Sequence, residues 1–235
     1  MIISNSSRYV FVHIHKTAGE AVTAALLSGC RRNDIVCGPV HRGRDTDKAF
    51  GTDYGGLHKH SHALEIREVM GGVLWHDYFT FSFVRNPYYR ILSLYTYIEM
   101  MVQGQGVRRY VPPSLRKNRL WRWPGTKAYL DTRSFSEFIR HDDFVQHEPG
   151  AQPMVDWLTD QGKVLVSFIG KVESLEKDFA QITATIGMAQ SAVPPKNVSR
   201  SRVRLRDYYR GADFDYVFDR YRADFETFGY DRSPG

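Results

Sequence analysis

The chain has 235 residues, 42% hydrophobic and 14% aromatic, with a formal net charge of +6 and a pI of about 9.3. That length and apolar content fit a single α/β domain over residues 1–235 with a full core, and exclude a disordered chain. The positive excess suits an anionic ligand, whether nucleotide, nucleic acid, acidic glycan or membrane surface, without choosing among them.

No run of about 18 apolar residues is present to span a bilayer. The start, MIISNSSRYV, lacks the charged opening and apolar centre of a signal peptide, so a cytoplasmic protein without a membrane partner is expected. The two cysteines, Cys30 and Cys37, are expected as reduced thiols. A zinc site needs more ligands at closer spacing, and no metal is expected.

In chain order, Tyr9 to Ile14 is rich in β-branched and aromatic residues and predicts a strand. It ends at His15-Lys16-Thr17-Ala18-Gly19, and Glu20 to Leu27 predicts a helix. Residues 28–57 are rich in Gly, Arg and Asp and predict an irregular connection, with a short strand around Ile35 and Val36. His58, His60 and His62 follow, then a short helix from Ala63 to Met70, stopped by Gly71-Gly72. Tyr78 to Val84 predicts a second strand. Asn86 as N-cap and Pro87 as first residue then open a helix to about Met101.

Residues 104–127 carry many Arg and Lys, a tandem Pro pair, Trp121 and Trp123, and predict an excursion. Short helices are expected at Phe135–His141 and Gln152–Leu158. A third strand is expected at Val164–Ile169, and an amphipathic helix at Glu173–Ile186, with Leu175, Phe179, Ile182 and Ile186 on one face. A basic segment after Pro194-Pro195 leads to a terminal helix, Phe214 to Phe225. Repetition of strand, loop and helix predicts an α/β fold, with a central, mainly parallel sheet flanked by helices.

The first strand–loop–helix has the form of a phosphate cradle. Backbone N–H groups, the positive end of the helix dipole and the Lys16 ammonium converge on one anion. It is not a Walker loop, Gly-x-x-x-x-Gly-Lys-Ser/Thr, because Lys16 precedes the glycine. A phosphoryl enzyme would also need an acidic metal ligand after a strand, and none of the three predicted strands shows one.

HIHKTAGEAV closely resembles the His-Ile-Pro-Lys-Thr-Ala-Gly-Thr-Ser loop of the carbohydrate sulfotransferases of the heparan sulfate 2-O-sulfotransferase and chondroitin sulfotransferase type. FSFVRNPYYRILSLYTY resembles the Phe-Val-Arg-Asn-Pro…Arg-Leu-Leu-Ser-x-Tyr signature of the same family, sulfotransferase family 2. LHKHSHALEIREV, QPMVDWL, VSFIGKVESLEKDF, NVSRSR and DFETFGYD are similar to further segments of it, so the resemblance covers most of the chain, most weakly in residues 28–57 and 104–145.

The resemblance implies a P-loop-like fold and in-line sulfuryl transfer from 3′-phosphoadenosine 5′-phosphosulfate (PAPS) to a hydroxyl, by default on a carbohydrate and not on nucleic acid. It implies that His15, Lys16, Thr17, Ala18, Gly19, Glu20 and Ala21 hold the 5′-phosphosulfate, and that Arg85 and Ser93 hold the 3′-phosphate. Lys196, Asn197, Ser199 and Arg200 would lie near the donor phosphates. His60 is implied as base and Lys16 as stabiliser of the leaving phosphate. On an extended backbone His58 and His62 share a face with His60. They, Trp121 and Trp123 are candidates for the acceptor site, and Glu65 is a weaker candidate base. His15 stands where the family usually has proline, and Glu20 where it has a hydroxyl residue. Glu20 is the feature that favours the alternative, a non-catalytic module for nucleotide or acidic glycan. If catalysis is retained, Glu20 should point away along the helix or bond Lys16 or the acceptor.

Overall fold

The computed structural model describes residues 1–38, 54–106, 119–188 and 204–233. The chain opens with strand β1 (Ile2–Ser4), followed by β2 (Tyr9–Val12), α1 (Gly19–Leu26) and β3 (Ile35–Val36). Next come α2 (Ala63–Met70), α3 (Gly72–Asp77), β4 (Phe79–Val84) and α4 (Pro87–Gln103). The chain continues through α5 (Pro124–Asp131), α6 (Phe135–Phe138), α7 (Met154–Leu158), β5 (Thr159–Asp160) and β6 (Lys163–Val164). It ends with β7 (Phe168–Lys171), α8 (Leu175–Thr185), α9 (Gly211–Arg220) and α10 (Arg222–Phe228).

These elements form two compact units, each built from two separate stretches of chain: Met1–Arg85 with Met154–Val198, and Asn86–Pro153 with Ser199–Gly235. The first unit holds a five-stranded sheet of order β3-β1-β2-β4-β7. β2–β4 and β4–β7 pair in parallel, whereas β1 pairs antiparallel with both β2 and β3. The sheet is therefore mixed, and not mainly parallel as the repeated strand–loop–helix pattern predicts. The cause is β1, a three-residue strand that folds back on β2 through the turn at Asn5–Arg8. Asp34 fastens this turn by accepting from the N–H and Oγ of Ser6 and from the N–H of Arg31. Tyr9, Phe11, Phe81 and Phe83 of β2 and β4 pack with Val22 and Leu26 of α1 and with Phe179 and Ile182 of α8.

The predicted third strand divides. Val164 ends a small antiparallel pair with β5, and Phe168–Lys171 joins the sheet. Gly170 lies inside β7, opposite Phe83, because a Cβ there would come 2.5 Å from that ring. Cys30 and Cys37 are both buried and are not joined in a disulfide.

The second unit is helical and aromatic. Asn86 caps α4, its side chain accepting from the Tyr88 N–H at 3.0 Å, and Pro87 takes the first turn. α4 buries Tyr88, Ile91, Leu94 and Ile98 among Phe138, Phe144, Val217, Tyr221 and Phe225. Arg90 is fully buried. Its guanidinium donates to the carbonyls of Gly150 (2.9 Å) and Gln152 (2.6 Å) and faces Asp224. Glu148, 3% exposed, accepts from the Gly125 N–H (2.9 Å) and the Gly150 N–H (3.2 Å). Part of the predicted excursion is the helix α5, which Pro124 opens. The predicted terminal helix is two helices broken at Tyr221 and closed by left-handed Gly229. Among the described residues, no helix is long and apolar enough to cross a membrane.

Candidate active site

The loop after β2 and Arg85 after β4 leave the carboxyl ends of neighbouring parallel strands, where α/β sheets place their ligands. The Ser82 hydroxyl donates to the Val12 carbonyl at 2.8 Å and ties those two ends together. The loop is tightly turned. Lys16 (φ 67°) and Ala18 (φ 60°) are both left-handed, a conformation that non-glycine residues adopt at an energetic cost. The Thr17 hydroxyl donates to the Ile14 carbonyl at 3.2 Å, so that side chain closes the loop.

Ala18 is the N-cap of α1 and supplies no capping side chain. The amide N–H groups at the start of the helix therefore lack the usual side-chain acceptor, and a bound anion supplies one. Gly19 is required here, since a Cβ would lie 2.0 Å from Nε2 of His13. Ala21 is buried, its N–H bonded to the Ala18 carbonyl at 2.9 Å.

The charges around this helix start crowd one another. Burial, and next the neighbouring Arg85 guanidinium, lower Lys16 to about 8, with Lys59 adding to the repulsion and Glu20 opposing it. Clustered cations with partial desolvation fit an anionic ligand, which relieves both effects. Glu20 is exposed and forms an ion pair with Lys59. Its partner is therefore on the histidine segment, and this pairing compensates the charge of Glu20 beside the helix start.

That segment brings His60 against the loop. His60 Nδ1 lies 2.8 Å from the His13 carbonyl oxygen. A carbonyl only accepts, so Nδ1 carries the hydrogen, and Nε2 of the neutral ring keeps its lone pair. Burial pushes His60 down to about 4, with the His13 carbonyl opposing and Lys59 assisting. His60 is therefore neutral across the physiological range. The His15 ring stacks on it at 3.6 Å and 19°, and the His13 ring meets it edge-on at 4.7 Å. Trp157 Nε1 donates to the His60 carbonyl at 3.0 Å.

The three histidines of the i, i+2, i+4 series diverge. His58 is exposed, and its Nδ1 accepts from the His60 N–H at 3.1 Å. His62 is the N-cap of α2 and lies 4.7 Å from the Trp157 ring. Glu65 accepts from the His62 N–H at 2.9 Å, which makes it a capping residue. Sequence reasoning gave no role to His13 or Trp157. His13 is 3% exposed with no partner for Nδ1 among the described residues, and burial holds it well below the usual imidazole range. Its place one residue beyond β2 was the available signal.

Ser93, Trp121 and Trp123 belong to the second unit. Ser93 is partly buried on α4. Trp121 is 9% exposed within the helical core, which leaves little indole face for a sugar. Trp123 is the N-cap of α5, edge-on to Tyr97 at 6.3 Å. Lys196, Asn197, Ser199 and Arg200 lie outside the described residues. Metal-ligand atoms gather within 4.8 Å at Asp131, His141 and Asp143 of the second unit. There His141 Nδ1 already accepts from the Asp143 N–H, and Lys127 stands 3.9 Å from the Asp143 carboxylate, both of which oppose a cation.

The chain is 25% identical, over 131 residues, to an uncharacterized protein of Archaeoglobus fulgidus, covering 54% of this chain and 83% of that protein. No solved structure matches. A family model described as the Sulfotransferase family matches residues 1–231, and the chain therefore belongs to the sulfotransferase family.

Proposed function

We propose that the protein transfers the sulfuryl group of PAPS to an acceptor hydroxyl, on a carbohydrate, with His60 as base and Lys16 beside the leaving phosphate. The observation that carries this reading is the pairing of two features in one unit. An uncapped helix start is crowded by Lys16 and Arg85, and a neutral histidine beside it has its tautomer set by a backbone carbonyl.

PAPS supplies a sulfuryl group on a phosphate that is a good leaving group, so the remaining work is positioning, charge neutralisation and removal of one proton. Lys16 answers the charge that grows on the departing phosphate, an interaction stronger in the transition state than before it. His60 Nε2 takes the hydroxyl proton, and the resulting imidazolium keeps its Nδ1–H on the His13 carbonyl. Nearby nucleotide charge raises the basicity of the ring toward the working pH. The family resemblance assigns the 3′-phosphate to Arg85 and Ser93.

Calorimetric titration with 3′-phosphoadenosine 5′-phosphate (PAP) and with AMP tests the donor. PAP should bind at least tenfold more tightly, because a charge-assisted contact contributes about 1.5–3 kcal/mol. Equal affinities would refute a site for the 3′-phosphate. Screening hydroxyl acceptors with labelled PAPS tests the reaction, and undiminished turnover in His60→Ala would remove His60 from the base role.

A further inference from the structure

We infer that His15 is a positioning residue, which holds the ring of His60 in the plane that directs its bare Nε2 outward from the loop. The inference rests on the reading of His60 as base. Among the described residues, the His60 side chain donates one hydrogen bond, from Nδ1 to the His13 carbonyl. A single bond sets the tautomer yet leaves the ring a residual rotation about Cα–Cβ and Cβ–Cγ. The faces of the ring must therefore be held by packing. His15 covers one face at 3.6 Å, nearly parallel at 19°, and the His13 ring abuts at 4.7 Å, steeply inclined at 67°. Trp157 backs His15 at 5.8 Å and 71°. Trp157 also grips the backbone of His60 through Nε1, so it fixes both members of the stack.

His15 is also joined directly to Lys16, which is held in the left-handed conformation. The same residue thus connects the strained cradle to the base. Displacement of His15 moves His60 relative to the anion site. Stacking uses the faces of the His15 ring, and substitution of the side chain leaves the loop backbone at residue 15 in place. Proton transfer should therefore suffer more than nucleotide binding.

The test uses the full chain with His15→Ala and His15→Phe, and His60→Ala as reference. Nitrogen-15 imidazole spectra report the ring without any acceptor. The native protein should show one Nδ1–H tautomer for His60, identified by its loss in His60→Ala. His15→Ala should show averaged or broadened signals, and His15→Phe, which restores a flat ring, should recover the native pattern. Labelled PAPS turnover should fall roughly tenfold to hundredfold in His15→Ala, the range expected for misplacement of a reacting group by up to 1 Å, and recover in His15→Phe. PAP affinity should fall by less than turnover does, since the backbone cradle remains.

Unaltered His60 signals in His15→Ala overturn the inference, as does failure of His15→Phe to recover them. Loss of PAP affinity matching the loss of turnover also overturns it, because His15 then acts on the nucleotide. If His60→Ala turns over normally, the base reading itself fails. If His60→Ala is slow while His15→Ala is normal in rate and spectrum, the positioning role alone fails.

Discussion

In the proposed reading, Lys16 makes PAP binding sensitive to alkali in a window that the structure defines. In the ligand-free protein burial and Arg85 lower it to about 8, against an ordinary value of 10.5, while Glu20 and Lys59 are the other charged groups facing it. A phosphate bound beside it favours the ammonium and moves it back up. Binding then requires a protonated lysine that becomes scarce above pH 8. Between pH 7 and 9.5 the protonated fraction of a group at pH 8 falls about 30-fold, and the Kd for PAP should rise by about the same factor. Lys16→Arg keeps its charge throughout, so its Kd should stay flat within about twofold across that range. Calorimetry at pH 8.5 in two buffers of different ionisation enthalpy should show uptake of about 0.7 proton per PAP in the native protein and almost none in Lys16→Arg. The sign for stability is fixed by the same shift. Between pH 8 and 10.5 the unfolded chain binds more protons than the folded one, so the free protein should become more stable as this window is crossed upward. A flat Kd in the native protein, or the same slope in Lys16→Arg, refutes the placement of Lys16 at the anion.

Three further outcomes follow from the geometry. His60 is held at about 4 in the folded protein against 6.5 as an ordinary imidazole, so the unfolded chain binds more protons and stability falls as pH drops between those values. At pH 4 this group alone should remove about 3 kcal/mol, read from urea midpoints, and His60→Ala should lessen the slope. Glu148→Gln offers one acceptor oxygen where the Gly125 and Gly150 N–H groups need two, and should cost about 1–3 kcal/mol in urea unfolding; an unchanged midpoint disproves the double-acceptor role. Gly170→Ala puts a methyl 2.5 Å from the ring of Phe83, which is fully buried, and should cost about 1–3 kcal/mol or more; an unchanged melting temperature disproves the close approach.

The parts of the fold that were legible in the sequence are those set by local chemistry. Tyr9–Ile14 and Tyr78–Val84 announced strands by their β-branched and aromatic content, and Asn86-Pro87 announced a helix start that the structure has. β1 was not legible, because three residues are too few for a period and its antiparallel direction is decided by its partners. Val164–Ile169 read as one strand, yet its two ends pair with different neighbours. The interleaving of the two units depends on contacts far apart in sequence, which no window of residues displays. At the site, Lys16 and Gly19 announced the tight strand–loop–helix turn that the structure has. The alternate spacing of His58, His60 and His62 suggested a shared face on an extended backbone, and the turn at Lys59–His60, closed by the Ser61 N–H on the His58 carbonyl, replaces that extended backbone. Glu20 could not be explained from its neighbours in sequence, since its partner Lys59 lies 39 residues away.

Left-handed Lys16 and Ala18 bear on how fast a nucleotide can be captured. Glycine would occupy either position without strain, but a glycine loop samples many shapes and must be ordered by whatever binds it. Lysine and alanine at these angles are tolerated only because the surrounding sheet and helix impose them. The order of the cradle is therefore established when the chain folds, and capture of the proposed nucleotide should proceed as docking onto a finished surface, limited by encounter rather than by rearrangement.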